Sequence, residues 1–107
     1  MPPAMNGKDK DLYSGLIRLH VLHHAVDTPI YGSWMIEELH EHGYEISPGT
    51  LYPMLHGLAH KGYLKMRQEG PGKRARRLYT TTAKGRAALA DAKEKVRELF
   101  GEIIENT

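Results

Sequence analysis

The spacing of apolar residues along the chain predicts four helices, and the first two precede Gly43. From Asp11 to Val26 apolar side chains recur every three or four residues, which is the period of a helix that buries one face. Pro29 marks the end of that helix, because the residue before a proline disfavours helical geometry. A second helix follows Gly32 and ends at Gly43. The residues expected on its inner face are Met35, Ile36 and Leu39.

The third helix contains an apparent contradiction in the stretch SPGTLYPMLHGLAHKGYL. Ser47 is a suitable N-cap, Pro48 suits the first helical position and Gly62 is a common helix end. Pro53, however, removes a backbone hydrogen bond inside the helix and would normally kink or break it. A helical wheel separates an apolar face from a small, polar face that points outward. The apolar face comprises Leu51, Met54, Leu55 and Leu58, and the outward face comprises Pro53, His56 and His60, with Thr50 and Tyr52 on its flanks.

Two strands and a long helix follow in the sequence. The segments YLKMRQE and RARRLYTTT flank the turn GPGK, which predicts a β-hairpin. Thr82 resembles an N-cap for a last helix whose apolar residues step by three and four, the spacing of a two-helix coiled coil. The residues of this seam are Leu89, Ala92, Val96, Leu99 and Ile103, with Phe100 and Ile104 beside them.

This order of elements predicts a mainly α (α+β) fold, a winged helix-turn-helix with three N-terminal helices, a two-stranded β wing and a long C-terminal dimerisation helix. We expect a flexible leader at residues 1–10, a winged helix DNA-binding domain at 11–82 and the dimerisation helix at 83–107. An unrelated α+β domain could show the same order, so the order alone does not decide.

Charge is distributed unevenly along the chain. Residues 61–77 hold seven basic residues and one acidic residue, a balance of +6, whereas residues 1–60 hold three and seven, a balance of −4. A basic block this compact is a candidate phosphate-binding surface, and a solvated basic hairpin is the alternative.

Other features of the composition exclude several classes. The chain has no cysteine, which excludes disulfides, thiolate metal sites and a cysteine nucleophile. It shows neither the apolar core of a signal peptide nor an apolar run of membrane-spanning length. We therefore expect a soluble, cytoplasmic protein with no membrane partner.

Two stretches, SPGTLYPMLHGLAHKGYL and RRLYTTTAKGRAAL, resemble the PadR family of bacterial winged helix-turn-helix transcriptional regulators. The most specific part is Ser47–Leu55, and the chain departs from the family pattern at Ser33 and at Thr81. The short C-terminus resembles the compact branch of the family. The segment PIYGSWMIEEL matches the opening of the family's second helix at Pro29, Gly32 and Leu39.

The resemblance implies a homodimer whose two recognition helices enter successive major grooves of a palindromic operator. It also implies a repressor that a small apolar or aromatic effector releases from double-stranded DNA. The candidate DNA-binding residues are Ser47, Thr50, Tyr52, Pro53 and His56 on the recognition helix, and Lys73, Arg74, Arg76 and Arg77 on the wing. The candidate dimerisation residues are Leu89, Val96, Leu99, Phe100 and Ile103, and the candidate effector-binding residues are Trp34 and Phe100.

Seven histidines raise the question of a metal site. His20 and His24 lie one helical turn apart, but zinc needs a third and a fourth ligand, and Asp27 is the carboxylate closest to this pair in the sequence. We therefore expect no metal and no cofactor. His56 and His60 form a similar pair, which we expect to face DNA phosphates.

The sequence also gives no sign of an enzyme. It contains no nucleophile elbow, no phosphate-cradling loop and no acid–base pair at a spacing tied to a mechanism. The alternative to a DNA-binding regulator is a protein-interaction or effector-binding module that dimerises through its last helix without specific DNA binding.

Overall fold

The computed structural model describes residues 9–72 and 75–106, which form four helices and a three-stranded antiparallel sheet. The prediction of a winged helix-turn-helix fold is confirmed. The elements in chain order are α1 (Lys10–His24), β1 (Ile30–Tyr31), α2 (Gly32–Glu41), α3 (Pro48–His60), β2 (Leu64–Glu69), β3 (Arg76–Thr81) and α4 (Ala83–Ile103).

The helix ends follow the local signals in the sequence. Gly43 and Gly62 adopt φ angles of 91° and 86°, the left-handed region that favours glycine, directly after the C-caps of α2 and α3. Thr82 caps α4, because its hydroxyl accepts a hydrogen bond of 3.0 Å from the backbone N–H of Gly85. A cap of this kind stabilises a helix by about 0.5–2 kcal/mol.

The core lies between the first three helices and one face of the sheet. The four residues that the helical wheel assigned to the apolar face of α3 are all buried in the common core, as the wheel predicts. Tyr44 and Ile46, in the connector between α2 and α3, pack against this core as well. The largest fully buried side chains are Ile17, Val21, Met35, Leu39, Leu51 and Leu55.

The sheet has the strand order β1-β3-β2, with both pairs antiparallel. β2 and β3 form the predicted hairpin, in which Leu64 lies opposite Thr81 and Glu69 opposite Arg76. β1 was not predicted; it has only two residues, which is too short for the sequence to show an alternating pattern. Because β1 leads directly into α2, its pairing with β3 fixes the wing against the start of the helix-turn-helix.

Two hydrogen bonds donated by Thr81 connect the end of β3 to the end of α1. Its hydroxyl donates a hydrogen bond of 2.8 Å to the carbonyl of Leu22, and its backbone N–H donates one of 2.9 Å to the carbonyl of Ala25. At the end of α1 the N–H of Val26 donates to the carbonyl of His23 and not to that of Leu22. The Thr81 hydroxyl therefore supplies the donor that the Leu22 carbonyl does not receive from its own helix. The threonine at which the chain departs from the family pattern therefore satisfies a buried carbonyl.

The first turns of α4 pack on the core, whereas most of its remaining length is exposed. A Cβ atom at Gly85 would lie 2.2 Å from the carbonyl oxygen of Tyr63, so only glycine lets the helix approach this closely. Leu89 was expected in the dimerisation seam but is only 8% exposed and belongs to the core of the chain. Within the described ranges, no helix combines the length and the apolar character needed to cross a membrane.

Candidate nucleic-acid interface

The outer face of α3 exposes the residues that the sequence analysis assigned to DNA. Tyr52 is 47% exposed, Ser47, Pro53 and His56 are exposed, and Thr50 is half-buried. Ser47 is the N-cap, Thr50, Tyr52 and Pro53 lie in the N-terminal half of the helix, and His56 lies one turn further along. The helix therefore presents a polar surface at the end that a groove-reading helix directs at the bases.

Pro53 does not interrupt α3, which resolves the contradiction in the sequence. It is the sixth residue of a helix that begins at Pro48 and runs through to His60. The first four N–H groups of a helix have no partner within it. The hydrogen bond that Pro53 removes, the one to the carbonyl of Gly49, is among the first that the helix could form, and α3 continues past it to His60.

The N-terminus of α3 has no side-chain cap. Ser47 holds the N-cap position in an extended conformation, but its Oγ donates to Thr50 Oγ1 at 3.3 Å instead of accepting from a backbone N–H. The carbonyl of Ser47 accepts hydrogen bonds from the N–H groups of Thr50 and Leu51. A helix N-terminus carries a partial positive charge, which favours a nearby phosphate.

A cleft of about 380 Å³ separates α3 from the wing. The ring of Tyr52 closes one side of it by passing over the start of α2, where a Cβ atom at Gly32 would lie 2.3 Å from Tyr52 Cε1. The recognition helix and the wing therefore face a common opening. The lining residues are Tyr31, Gly32, Ser33, Tyr52, Leu55, Ala75, Arg76, Arg77 and Tyr79.

Tyr31 and Glu69 position the wing arginine Arg76. The guanidinium carbon of Arg76 lies 4.2 Å from the centre of the Tyr31 ring, a distance typical of a cation–π contact. The Tyr31 hydroxyl donates a hydrogen bond of 2.6 Å to Glu69 Oε1, and this bond raises the pKa of the Tyr31 phenol, which keeps it a donor. Arg67 Nη2 lies 4.0 Å from the other oxygen of Glu69.

The sequence did not identify Tyr31 and Glu69 as residues that position Arg76. Glu69 is the only acidic residue of the basic block at 61–77, and that isolation is the signal that could have identified it. Of the predicted wing residues, Arg76 and Arg77 border the cleft, whereas Lys73 and Arg74 lie outside the described residues. The remaining cations of the basic block, Lys61, Lys65 and Arg67, are exposed.

A second exposed surface, apolar in character, runs along α1 and α4. A groove of about 500 Å³ separates the two helices, and large side chains on its rim remain in contact with solvent. The exposed apolar residues of α1 and α4 are Leu12, Leu16, Val96, Leu99, Phe100, Ile103 and Ile104.

The two candidate effector-binding residues lie in different clefts of the chain. Phe100 lines the groove between α1 and α4, whereas Trp34 lines a separate cleft with Pro29 and Ile30. The Trp34 ring meets that of His24 edge-on, with 5.6 Å between centroids. Both clefts are bordered by His23.

A three-helix core, a polar outer face on α3 and a basic hairpin beside it define a winged helix-turn-helix DNA-binding protein. Residues 21–91 match the model of the transcriptional regulator PadR-like family. The chain belongs to the PadR family of transcriptional regulators, which confirms the resemblance in its sequence.

Relatives and solved structures agree with this assignment. The transcriptional regulator Rv3488 of Mycobacterium tuberculosis is 44% identical over 95 residues, which cover 89% of each chain. A PadR family transcriptional regulator from Eggerthella lenta superposes with a TM-score of 0.76 at 28% identity, over 91% of this chain and 88% of the other. A transcriptional regulator from Clostridium thermocellum shares the fold, with a TM-score of 0.76 at 23% identity over 90% and 96% of the two chains.

Proposed function

We propose that the protein is a repressor that binds a palindromic operator as a homodimer and is released by a small apolar or aromatic effector. The observation that carries the proposal is the common cleft: Tyr52 of α3 and the wing arginines Arg76 and Arg77 line the same opening. A duplex lying across this opening meets base-reading side chains from α3 and cations from the wing. Base contacts specify sequence, whereas phosphate contacts position the protein.

In this proposal the residues of α3 and the wing have different tasks. Tyr52, Thr50 and His56 reach base edges or the adjacent phosphates, and the apolar ring of Pro53 is suited to contact with a thymine methyl group. Arg76 and Arg77 contact the phosphate backbone beside the groove. Tyr31 and Glu69 hold the Arg76 guanidinium in place before DNA arrives, which lowers the entropy lost on binding.

The proposed partner of the apolar α1–α4 surface is a second copy of the same chain. The side chains of Val96, Leu99 and Ile103 lie on one stripe of α4, at the three- and four-residue steps of a coiled-coil seam. They are 45%, 49% and 69% exposed in the isolated chain, and Phe100 beside them is 49% exposed. A twofold axis would bury the same stripe on both copies and space the two α3 helices for two half-sites.

The proposed effector binds at the dimer surface, close to α1. The groove between α1 and α4 is largely apolar and contains Phe100, while Trp34 lines the neighbouring cleft. α1 packs against both α2 and α4, so a ligand that shifts α1 would alter the angle between the helix-turn-helix and the dimer axis. This mechanism would change the distance between the two α3 helices and weaken operator binding.

Selection of bound duplexes from a random pool tests the proposal. The full chain should enrich two inverted half-sites whose centres are about 10–10.5 base pairs apart, or a multiple of that distance. The Leu99→Glu variant provides a matched selection, because a folded monomer would enrich a single half-site. A folded wild type that enriches nothing would favour the alternative, an interaction module without specific DNA binding.

A further inference from the structure

A cluster of histidines lies away from the DNA cleft, where α1 meets the end of α2. His20 and His24 come from α1, and His42 is the C-cap of α2. One ring nitrogen of each lies within 4.8 Å of one nitrogen of both others. Glu38 adds a carboxylate: its Oε1 lies 3.2 Å from His42 Nε2 and 3.7 Å from His24 Nε2.

We propose that His20, His24 and His42 bind a divalent transition-metal ion of the zinc class, with Glu38 as the fourth ligand. Each helix contributes two ligands four residues apart, the spacing that places side chains on one face of a helix. The sequence showed only the pair on α1; the fold supplies the third imidazole and the carboxylate. The proposal goes beyond DNA binding and does not depend on it.

The ligand atoms are close enough for a tetrahedral ion, but the rings of His20 and His42 now stack with 4.9 Å between centroids and must turn so that their nitrogens converge. Zinc–nitrogen bonds of about 2.0–2.1 Å place neighbouring ligand atoms about 3.3 Å apart. The three nitrogens already lie within 4.8 Å of one another, so shifts of about 1 Å bring them to a common ion. The side chain of His42 is 45% exposed and the residue follows the last turn of its helix, so there is open space beside the ring in which it can turn.

The donor set selects the class of metal. Imidazole suits zinc, nickel, cobalt and copper, whereas magnesium and calcium prefer oxygen ligands. Burial lowers the pKa of His20, and the facing rings of His42 and His24 lower it further. Burial also lowers the pKa of His24. The class of metal therefore follows from the three imidazoles and the one carboxylate of the cluster.

A bound ion would add a direct link between α1 and α2. α2 is the first helix of the helix-turn-helix, and α1 packs against α4. His20 also lines the groove between α1 and α4, so the ion would lie between the DNA-binding unit and the dimer surface. Because binding occurs in the folded state, zinc should also raise the melting temperature of the chain.

Titration of the full, metal-free chain with Zn²⁺ against a chromophoric chelator tests the proposal. Wild type should bind one zinc ion per chain, and His42→Gln should weaken the affinity by at least about tenfold. His40→Gln is the matched control, because it removes an exposed histidine of α2 that lies outside the cluster. Mg²⁺ should not compete, and Co²⁺ should give the visible absorption of a tetrahedral nitrogen–oxygen site.

Folding failure of one variant would not obscure the answer. His20 is half-buried, so the exposed His42 and the carboxylate variant Glu38→Gln carry the test if a His20 variant does not fold. Equal zinc affinity in wild type, His42→Gln and Glu38→Gln would overturn the proposal. So would a wild type without a saturable site, because the cluster would then be only a set of histidines paired with Glu38.

Discussion

Replacing Thr81 by valine removes one hydroxyl from the junction of β3 and α1 while leaving the shape of the side chain almost unchanged. Thr81 is 3% exposed, and its hydroxyl donates to the carbonyl of Leu22 at 2.8 Å. Valine leaves that carbonyl buried without the partner that it has in the native fold. An unsatisfied buried group of this kind costs about 1–3 kcal/mol. The midpoint of thermal unfolding should fall by about 4–8 °C for each kcal/mol of stability removed.

The assay is denaturant unfolding followed by circular dichroism at one fixed protein concentration. The denaturant concentration at the midpoint of unfolding should decrease, while the slope of the unfolding free energy against denaturant concentration stays constant. The substitution changes stability and not the surface exposed on unfolding. Thr80→Val is the matched control, the same substitution one residue earlier and on the other face of the strand. A loss below about 0.5 kcal/mol for Thr81→Val, or an equal loss for Thr80→Val, would refute the reasoning, because such small changes are typical of surface substitutions.

Three further predictions concern assembly and DNA. Leu99→Glu should give monomers or loss of folding in sedimentation, because it places a charge in the exposed apolar stripe, and a wild type that is itself a folded monomer would contradict the proposed dimer. Tyr52→Ala should cost about 1–3 kcal/mol on the selected operator and little on random duplex; equal weakening on both, with the fold intact, would remove Tyr52 from base reading. The double variant Arg76→Ala, Arg77→Ala should weaken binding to any duplex and reduce the salt slope of log K by roughly 0.9 for each phosphate that the protein no longer neutralises. Lys95→Ala on α4 is the control, and an unchanged slope in the double variant would place the wing outside the interface.

The sequence predicts those parts of the fold that depend on neighbouring residues. The inner face of α3 follows from a helical period over ten residues, and the hairpin follows from a turn rich in glycine and proline. The cap of α4 is likewise a local signal, with Thr82 three residues before Gly85. Each of these features needs only the chain's own local pattern to form.

Features that depend on distant pairing could not be predicted. β1 exists because β3 lies beside it, and its two residues carry no pattern of their own. Leu89 has the spacing of the apolar seam of α4, yet in the fold the side of α4 that carries Leu89 packs against the core. The position of His42 opposite His20 depends on the angle between α1 and α2, which no local pattern encodes.

The close approach of Tyr52 to Gly32 links what α3 presents to DNA with the first residue of another helix. A single methyl group at Gly32 would lie 2.3 Å from Tyr52 Cε1, so a side chain at position 32 would force the Tyr52 ring out of its present position. Among relatives, a side chain at position 32 should accompany a smaller residue at position 52, and an aromatic residue at 52 should accompany glycine at 32. A duplicated copy of this regulator that evolves a new operator preference through position 52 would leave a gap beside Gly32. Its descendants should fill that gap by a second substitution at position 32, so that a change of specificity at position 52 is accompanied by a change at position 32.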